Sequence, residues 1–318
     1  MSPAGFAVIR VVFTPDRRPG TVSALVSPGI AVAVAAAVLW GVYLFALKRY
    51  VAGVPATVLT VLVNVCALAW YAPVAVTRLS ADALPDPTTL GAPAVLALVG
   101  AVLGVGVGFV LFVNALALGE VSYVTPINKV VPVFVLPLEL LLLGADLPAL
   151  AFAGIAVVTA AVYVANYRGG DPLEPIRRAV SARPAQLALL SAVAYAVGDV
   201  SKRAVLDRVG LPPEALVVLV LGGVLLVLLP LAVRDWRGPR SWETPAPTFL
   251  ALGLLVATAE HLTSVAFAAL PASIASPVVN TQAVVAVVLG GVLLGERRLG
   301  ARLVAAALAV VGVGLLAV

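Results

Sequence analysis

The sequence predicts an all-α polytopic membrane protein in which ten transmembrane helices form two inverted five-helix repeats. The first observation is composition: of 318 residues, 62% are hydrophobic and 11% are charged, and the mean hydropathy is +1.13. Soluble domains are about 45–50% apolar and about 25% charged. The other two observations are a series of long apolar segments and a similarity between the two halves of the chain.

A helix needs roughly 20 mainly apolar residues to cross the hydrocarbon core of a bilayer. The segments that meet this requirement are 29–48, 55–76, 92–117, 122–143, 148–166, 185–205, 214–233, 248–269, 273–294 and 300–317. The least apolar are 185–205 and 248–269, which contain ionisable side chains. Since a helix packed inside a bundle tolerates polar groups, we expect these two segments in the interior.

The remaining residues divide the chain. Residues 1–27 are interpreted as a poorly ordered N-terminal tail, because their apolar patch is short and contains Arg10. The longest polar stretch, 168–184, is predicted to link a first repeat at 28–167 to a second repeat at 185–318.

Composition also excludes several classes of protein. The net charge of +5 comes from basic residues in short loops, where they contact lipid headgroups, so we expect no nucleic-acid partner. Cys66 is the one cysteine of the sequence, which excludes an internal disulfide and a cysteine-based metal site. No cofactor is predicted.

An internal repeat relates the two halves. With an offset of 151 residues, ALALGEVSYVTPINKVV (115–131) aligns with AFAALPASIASPVVNTQ (266–282). Ser122 then aligns with Ser273, and Thr125–Pro126 aligns with Ser276–Pro277. A duplicated unit with an odd number of helices must enter the membrane from opposite sides in its two copies. Such inverted repeats are typical of secondary transporters, which bind substrate between the halves near the midplane.

Several motifs resemble those of the EamA-type transporters of the drug/metabolite transporter superfamily. The second half reads ALPASIASPVVNTQAVVAVVLGGVLLGE at 269–296, and the first half contains a degraded version that ends in LLGA at 142–145. WGVYLFALK at 40–48 is similar to the first-helix signal of the family. The resemblance implies a fold of two five-helix units and the export or import of small metabolites, often amino acids or related compounds.

The orientation of the chain has conflicting signals. The resemblance implies a plasma-membrane protein with both termini in the cytoplasm. Lys48, Arg49 and most other basic loop residues would then lie outside the cell. The positive-inside rule expects Lys and Arg in cytoplasmic loops and so favours the opposite orientation. We retain the family orientation as the prediction.

Lys129 is the first candidate for a substrate-binding residue. It lies about seven residues inside its segment, where a charged side chain costs about 2.5–3.5 kcal/mol unless it pairs or faces water. It could attract a carboxylate or phosphate on the substrate, or it could pair with Glu120, Glu139 or Asp199. In the repeat alignment Lys129 falls on Asn280, which favours a shared central site.

The candidates for proton coupling are Glu260, Asp199 and His261. Asp199 lies three and four residues before Lys202 and Arg203, so an ion pair within one helix is the favoured explanation, and an unpaired Asp199 would carry a proton or a cation. Glu260 has no basic residue one turn away along its own segment. Histidine is the residue type whose ordinary pKa lies nearest neutrality, which makes His261 a candidate, although packing alone could explain a lone histidine.

Neutral and aromatic side chains complete the candidate site. Asn280, Gln282 and Asn114 could bond to a substrate, whereas hydrogen bonding between helices is the favoured explanation for Asn64. Aromatic side chains that could line the wall of a cavity are Trp40, Tyr43 and Tyr195.

Proline and glycine patterns predict two features of the helices. Pro126, Pro132 and Pro137 each remove a backbone donor, so the fourth segment is predicted to be a broken helix that lines a cavity, with Glu139 near the interface. Gly100, Gly104 and Gly108 form a stripe that allows close helix packing, either within a monomer or across a homodimer.

The sequence therefore predicts a secondary active transporter with a small-molecule substrate and the lipid bilayer as its partners. We expect alternating access and proton coupling, in a monomer or a homodimer. Enzyme activity is not predicted, because the sequence has one His, one Cys and no hydrolytic triad; a GxxxxGK[ST] nucleotide loop is also absent. The alternative is a membrane scaffold or receptor whose polar residues only bond helices together.

Overall fold

The computed structural model describes residues 27–80, 84–119, 124, 127–144, 181–238 and 243–294, with scattered positions within 150–160 and 300–315. The predicted tail at 1–27 and the predicted linker at 168–184 therefore lie almost wholly outside the described residues. More than half of each of the predicted segments 148–166 and 300–317 also lies outside the described residues, as do Glu120 and Glu296.

Helices form almost all of the regular structure in the described part of the chain, which contains no strand. They are α1 Pro28–Tyr50, α2 Ala56–Arg78, α3 Ala92–Leu118, α4 Val131–Leu143, α5 Arg183–Ala204, α6 Pro213–Asp235, α7 Ala246–Ala269, α8 Ala272–Asn280 and α9 Gln282–Leu294. A short 3₁₀ helix spans Pro87–Thr89, and a π-helical turn at Val205–Val209 continues α5.

Local sequence explains where these helices begin and end. Proline occupies the first turn of α1, α3, α5 and α6, where its missing N–H costs no helical hydrogen bond. The Ser27 hydroxyl also accepts a hydrogen bond from the Ile30 amide at the start of α1. At the end of α4, Gly144 adopts φ of 66°, a left-handed conformation that glycine accepts without strain.

Five of the described helices, α1, α2, α3, α6 and α7, are long and apolar enough to cross a membrane. Helix α5 is less apolar because it contains Asp199, Lys202 and Arg203, as the sequence indicated. Helices α4, α8 and α9 are shorter, because each belongs to an interrupted segment. The number of ten spans remains a prediction.

Two of the predicted segments are interrupted at equivalent positions. The fourth has a turn at Lys129–Val130 before α4, and the ninth has a turn at Thr281 between α8 and α9. The Val130 amide donates to the Ile127 carbonyl, and the Thr281 amide donates to the Val278 carbonyl, at 3.3 and 3.1 Å. These bonds are related by the offset of 151 residues that aligned the two halves. The break in the fourth segment was predicted from its prolines, whereas the break in the ninth was not.

The glycine stripe packs within the monomer, where α3 lies against α5. A side chain at Gly104 would collide with the backbone of Gly198, and one at Gly100 would collide with Ser201. Helix α1 packs against α7 and α2 packs against α6, so helices of the first half pack directly against helices of the second half. Small residues allow close contact in two of these pairs. Ala33 and Ala36 of α1 are fully buried in one cluster with Ala266 of α7, and Ala188 of α5 is fully buried in one cluster with Ala115 of α3.

The ends of the bundle join the halves through polar contacts. At one end, the Thr57 hydroxyl of α2 donates to Asp235 of α6 at 2.8 Å. At the other end, the Arg208 guanidinium donates to the carbonyl of Leu143 at 2.8 Å, the last residue of α4. Large apolar side chains such as Leu96, Leu141 and Val233 point outward, as expected for a surface that faces lipid.

Candidate functional site

A cavity lies between the two halves, near the middle of the helices. It contains about 980 Å³ of empty space, including the part that is open to solvent. Its apolar wall comes from α1, α2, α3, α6 and α7, through Leu44, Val63, Val105, Phe109, Phe112, Val220, Leu221, Val224 and Val256. Most of the polar residues on its surface lie at the two helix breaks and on α5 and α7.

Eight of the ten residues that the sequence predicted for the site line this cavity. They are Trp40, Tyr43, Lys129, Tyr195, Asp199, Glu260, Asn280 and Gln282. These residues come from five separate parts of the chain and from both halves. Lys129 and Asn280, which the repeat alignment paired, both lie beside a break.

Asn114 and His261 lie elsewhere. Asn114 is exposed on α3, and its side-chain amide donates to the Val110 carbonyl of its own helix at 2.8 Å. The His261 Nδ1 atom lies 2.8 Å from the Tyr71 hydroxyl, so His261 joins α7 to α2. Neither residue is part of the cavity wall, because each side chain is directed to another face of its helix.

Lys129 has no carboxylate partner among the described residues. Neither Glu139 nor Asp199 lies within salt-bridge distance, and Glu120 is outside the described part. Its ammonium group lies 5.6 Å from the centre of the Phe112 ring and 6.0 Å from that of Tyr195. Aromatic faces attract cations. The rings therefore hold a positive charge at the cavity wall without neutralising it.

Glu260 forms an ion pair with Lys202, which reaches it from α5. Both residues are only 3% exposed. The sequence showed no basic residue near Glu260 on its own helix, and it placed Lys202 at the end of the sixth segment. The interpretation missed this pair, because residues 202 and 260 meet only through packing of α5 against α7.

The expected ion pairs of Asp199 within α5 are absent, since both basic neighbours have other partners. Lys202 binds Glu260, and Arg203 lies 3.2 Å from Asp207. Arg203 also donates to the carbonyls of Phe267 and Ala268 at the end of α7. Cations at a helix C terminus are stabilised by its exposed carbonyls.

Asp199 instead accepts a hydrogen bond from the Ser276 hydroxyl of α8 at 2.5 Å. The side-chain amide of Asn280 donates to the carbonyl of Ser276 at 2.9 Å and contacts its hydroxyl oxygen at 3.3 Å. This chain of contacts connects Asp199 to the break in the ninth segment.

A second network connects α5 to the break in the fourth segment. The Asn128 side-chain amide donates to the Ser191 hydroxyl at 2.8 Å, and that hydroxyl donates to the Gly108 carbonyl at 2.6 Å. Helix α5 thus makes polar contact beside both breaks.

The polar residues of α5 form a stripe with helical spacing. Ser191, Tyr195, Asp199 and Lys202 follow one another at intervals of four, four and three residues. These intervals place the side chains on one face of a helix. The pattern was present in the sequence and could have identified Lys202 and Ser191 as residues that face the interior.

Aromatic and hydroxyl groups order the opposite wall. The Trp40 indole donates to the Thr263 hydroxyl at 3.0 Å, and its ring meets Tyr43 edge to face with centroids 5.6 Å apart. Asn64 lines the cavity but donates to the Thr60 carbonyl of its own helix at 2.8 Å.

Glu139 is buried between helices near one end of the bundle, and its place relative to the membrane interface remains a prediction. It is 2% exposed, and its carboxylate oxygens accept from the amides of Ala272 and Ser273 at 2.8 and 2.7 Å. These two amides begin α8, where the helix has no internal acceptor for them and favours a negative charge. Glu139 therefore joins the first half to the second half at one end of the bundle.

The described part of the cavity wall contains two cationic and two anionic side chains: Lys129 and Lys202, Asp199 and Glu260. No cluster of His, Cys, Asp and Glu suited to a metal ion occurs in the described ranges. The cavity wall therefore offers both apolar surface and charged groups of either sign to a small molecule.

Comparisons with known proteins agree with this architecture. A sequence model of the EamA-like transporter family matches residues 27–167 and 183–318. One solved structure, titled only as the crystal structure of a protein, has a TM-score of 0.68 and 19% sequence identity, and the alignment covers 90% of this chain and 95% of that one. At such identity the likeness shows the fold alone. No curated protein is significantly similar to the chain.

Proposed function

The chain belongs to the EamA-like transporter family, and we propose that it is a secondary active transporter that moves a small metabolite by alternating access. The family and the apolar helices make it a multi-pass membrane protein whose family transports small solutes. The proposed substrate is an amino acid or a related compound, the proposed location is the plasma membrane, and export is a proposed direction.

The observation that supports this function most strongly is Lys129, which lies at a helix break in a cavity between the two halves and has no carboxylate partner among the described residues. A charged side chain inside a membrane is costly and is retained where it binds or conducts something. Broken helices are likewise tolerated in a membrane where they line a cavity. Both features occur at the pseudo-symmetric centre, where transporters with inverted repeats bind their substrates.

The side chains around the cavity suggest how a substrate is held. Lys129 would attract a carboxylate, while the amides of Asn280 and Gln282 would bond to other polar groups. Trp40 and Tyr43 provide an aromatic wall for an apolar part of the molecule.

Asp199 is the first choice for the coupling proton, and Glu260 is the second. Protonation of Glu260 would leave Lys202 as a buried cation without its counter-ion. Asp199 has a neutral hydroxyl as its partner, so it can gain a proton and keep a hydrogen bond to Ser276. Coupling through either carboxylate explains why acidic groups persist inside this bundle.

Alternating access requires contacts at the two ends to break in turn. The bond between Thr57 and Asp235 joins the halves at one end. Glu139 and Arg208 join them at the other end. A rocking motion of the halves would open one set of contacts while the other set remains closed.

The test is substrate-dependent proton flux in proteoliposomes, with pools of amino acids, nucleosides and other small metabolites. Wild type should give a signal that is lost in Lys129→Gln and in Asp199→Asn. Asn114→Ala is the matched control, because Asn114 lies outside the cavity wall and should transport normally. All variants should remain folded by size-exclusion chromatography.

The outcomes separate the alternatives. Loss in Glu260→Gln but not in Asp199→Asn would assign coupling to Glu260. Normal flux in Lys129→Gln would refute the role of Lys129 in substrate binding. If the Lys129 and Asp199 variants change only stability, the scaffold interpretation replaces the transporter.

A further inference from the structure

The hydroxyl of Ser276 connects a proposed proton site to a proposed substrate contact. It is fully buried, lies 2.5 Å from Asp199 and lies 3.3 Å from the amide nitrogen of Asn280. We propose that Ser276 is a positioning residue that transmits the protonation state of Asp199 to Asn280 at the break in the ninth segment. This inference rests on the proposed function and names the group that links the proton site to the substrate contact.

The direction of each hydrogen bond follows from the chemistry of the three groups. An ionised carboxylate only accepts, so the single hydroxyl proton of Ser276 must be donated to Asp199. The lone pairs of the hydroxyl oxygen then remain available to the Asn280 amide. A second Asn280 contact, to the Ser276 carbonyl at 2.9 Å, holds the amide in place.

Protonation of Asp199 on Oδ2, the oxygen that faces Ser276, reverses the first bond. The neutral carboxyl group can donate to the hydroxyl oxygen, and the hydroxyl proton must then find another acceptor. One is close by, because Pro277 has no N–H and leaves the Ser273 carbonyl without its usual helical donor. Serine hydroxyls commonly bond to a carbonyl one turn back.

Rotation of the hydroxyl changes what Asn280 offers to the cavity. The lone pairs of the Ser276 hydroxyl oxygen turn away from the Asn280 amide nitrogen, which is already 3.3 Å away. One N–H of Asn280 is then free to point towards the cavity that Asn280 lines. Substrate would therefore meet one additional donor when Asp199 carries its proton. By linkage, bound substrate would favour the proton in return.

Other charged groups act on Asp199 but do not replace this path. Helices α3 and α8 contain no ionisable side chain, and Glu139 of α4 faces the start of α8. The remaining groups near Asp199 are Lys202 and Tyr195 on α5, Glu260 on α7 and Lys129 beside α4. Their fields change how readily Asp199 binds a proton, whereas only Ser276 touches both Asp199 and Asn280 among the described residues.

The chain itself suggests the conservative variant. In the repeat alignment Ser276 falls on Thr125, which has the same hydroxyl group. Ser276→Thr should therefore preserve the path, while Ser276→Ala removes it. Ser264→Ala is the matched control, because Ser264 is a buried serine whose hydroxyl has no hydrogen-bond partner in the described structure.

The experiment is infrared difference spectroscopy of the purified full-length protein between high and low pH, with isotopically labelled asparagine. Wild type should show a carboxyl band that is lost in Asp199→Asn. It should also show an amide band that is lost in Asn280→Ala. Ser276→Ala should keep the carboxyl band and lose the amide band, and Ser276→Thr and Ser264→Ala should keep both.

Three results would overturn the inference. They are an amide band that persists in Ser276→Ala, the absence of that band in wild type, and a carboxyl band that Asp199→Asn leaves unchanged. Thermal unfolding shows whether the Ala variant is folded. If it is not, loss of the amide band in a folded Ser276→Thr, which keeps the hydroxyl group, would also overturn the inference. Because the spectra need no substrate, their outcome is independent of the flux test of the proposed function.

Discussion

Replacement of Gly104 by alanine tests the packing of α3 against α5. A methyl group at this position would collide with the backbone nitrogen and Cα atom of Gly198. Backbone atoms cannot rotate away as the end of a flexible side chain can. The two helices would have to separate, and α5 would move together with Asp199.

Gly222 in α6 offers a matched control, because a methyl group there meets no atom within 4 Å. Both substitutions bring the same gain of about 0.4–1 kcal/mol from the reduced freedom of the unfolded chain. Only Gly104→Ala adds the cost of overpacking, about 1–3 kcal/mol. The difference between the two variants therefore isolates the collision, and we expect Gly104→Ala to be the less stable by about 1–3 kcal/mol.

The assay is unfolding by SDS in mixed micelles, followed through the fluorescence of the four tryptophans. A shifted midpoint with an unchanged slope reports a change in stability alone. Equal stability of Gly104→Ala and Gly222→Ala would refute the close approach of α3 and α5. It would also contradict the packing of the glycine stripe against α5 within the monomer.

Two further predictions concern buried charges. Lys202→Met should lower the free energy of unfolding by about 3–5 kcal/mol, because it leaves Glu260 without its counter-ion. Lys202→Met combined with Glu260→Leu should recover most of this loss in the same assay, and additive losses would contradict the pair. Glu139→Ala should cost about 1–3 kcal/mol, because two amides at the start of α8 lose their acceptor. Hydrogen exchange at the amides of Ala272 and Ser273 should be faster in Glu139→Ala than in Glu139→Gln, because glutamine keeps one oxygen acceptor. Equal protection of these amides in wild type and Glu139→Ala would contradict the contact.

Much of the architecture could be predicted from local patterns. Hydropathy is a property of a short window of sequence, so the membrane class and the bounds of the long helices were evident. Pro126, Pro132 and Pro137 indicated that the fourth segment is broken, because a missing backbone donor acts within one turn. The break lies at Lys129–Val130, whereas α4 continues through Pro137. The repeat alignment paired Lys129 with Asn280, and both lie in the cavity.

The prediction was weaker where a side chain has a partner on another helix. The roles of Glu139 and His261 were predicted from their position along a segment and from their residue type. In the structure Glu139 accepts from the first amides of α8, and His261 is hydrogen-bonded to Tyr71. Asn114 is polar in an apolar segment but points away from the cavity. Depth along a helix is visible in sequence, whereas the direction of a side chain depends on which neighbour the helix packs against.

The class of protein, the repeat and the break in the fourth helix are therefore encoded in neighbouring residues, since they follow from local hydropathy and backbone hydrogen bonding. The pairing of Lys202 with Glu260 and the chain from Asp199 through Ser276 to Asn280 emerge only when the helices pack. Residues 199 and 276 are far apart in the chain, and a hydrogen bond requires their atoms to approach within about 3 Å. No local property of the sequence encodes that distance, so the partners of the charged residues became known from the fold.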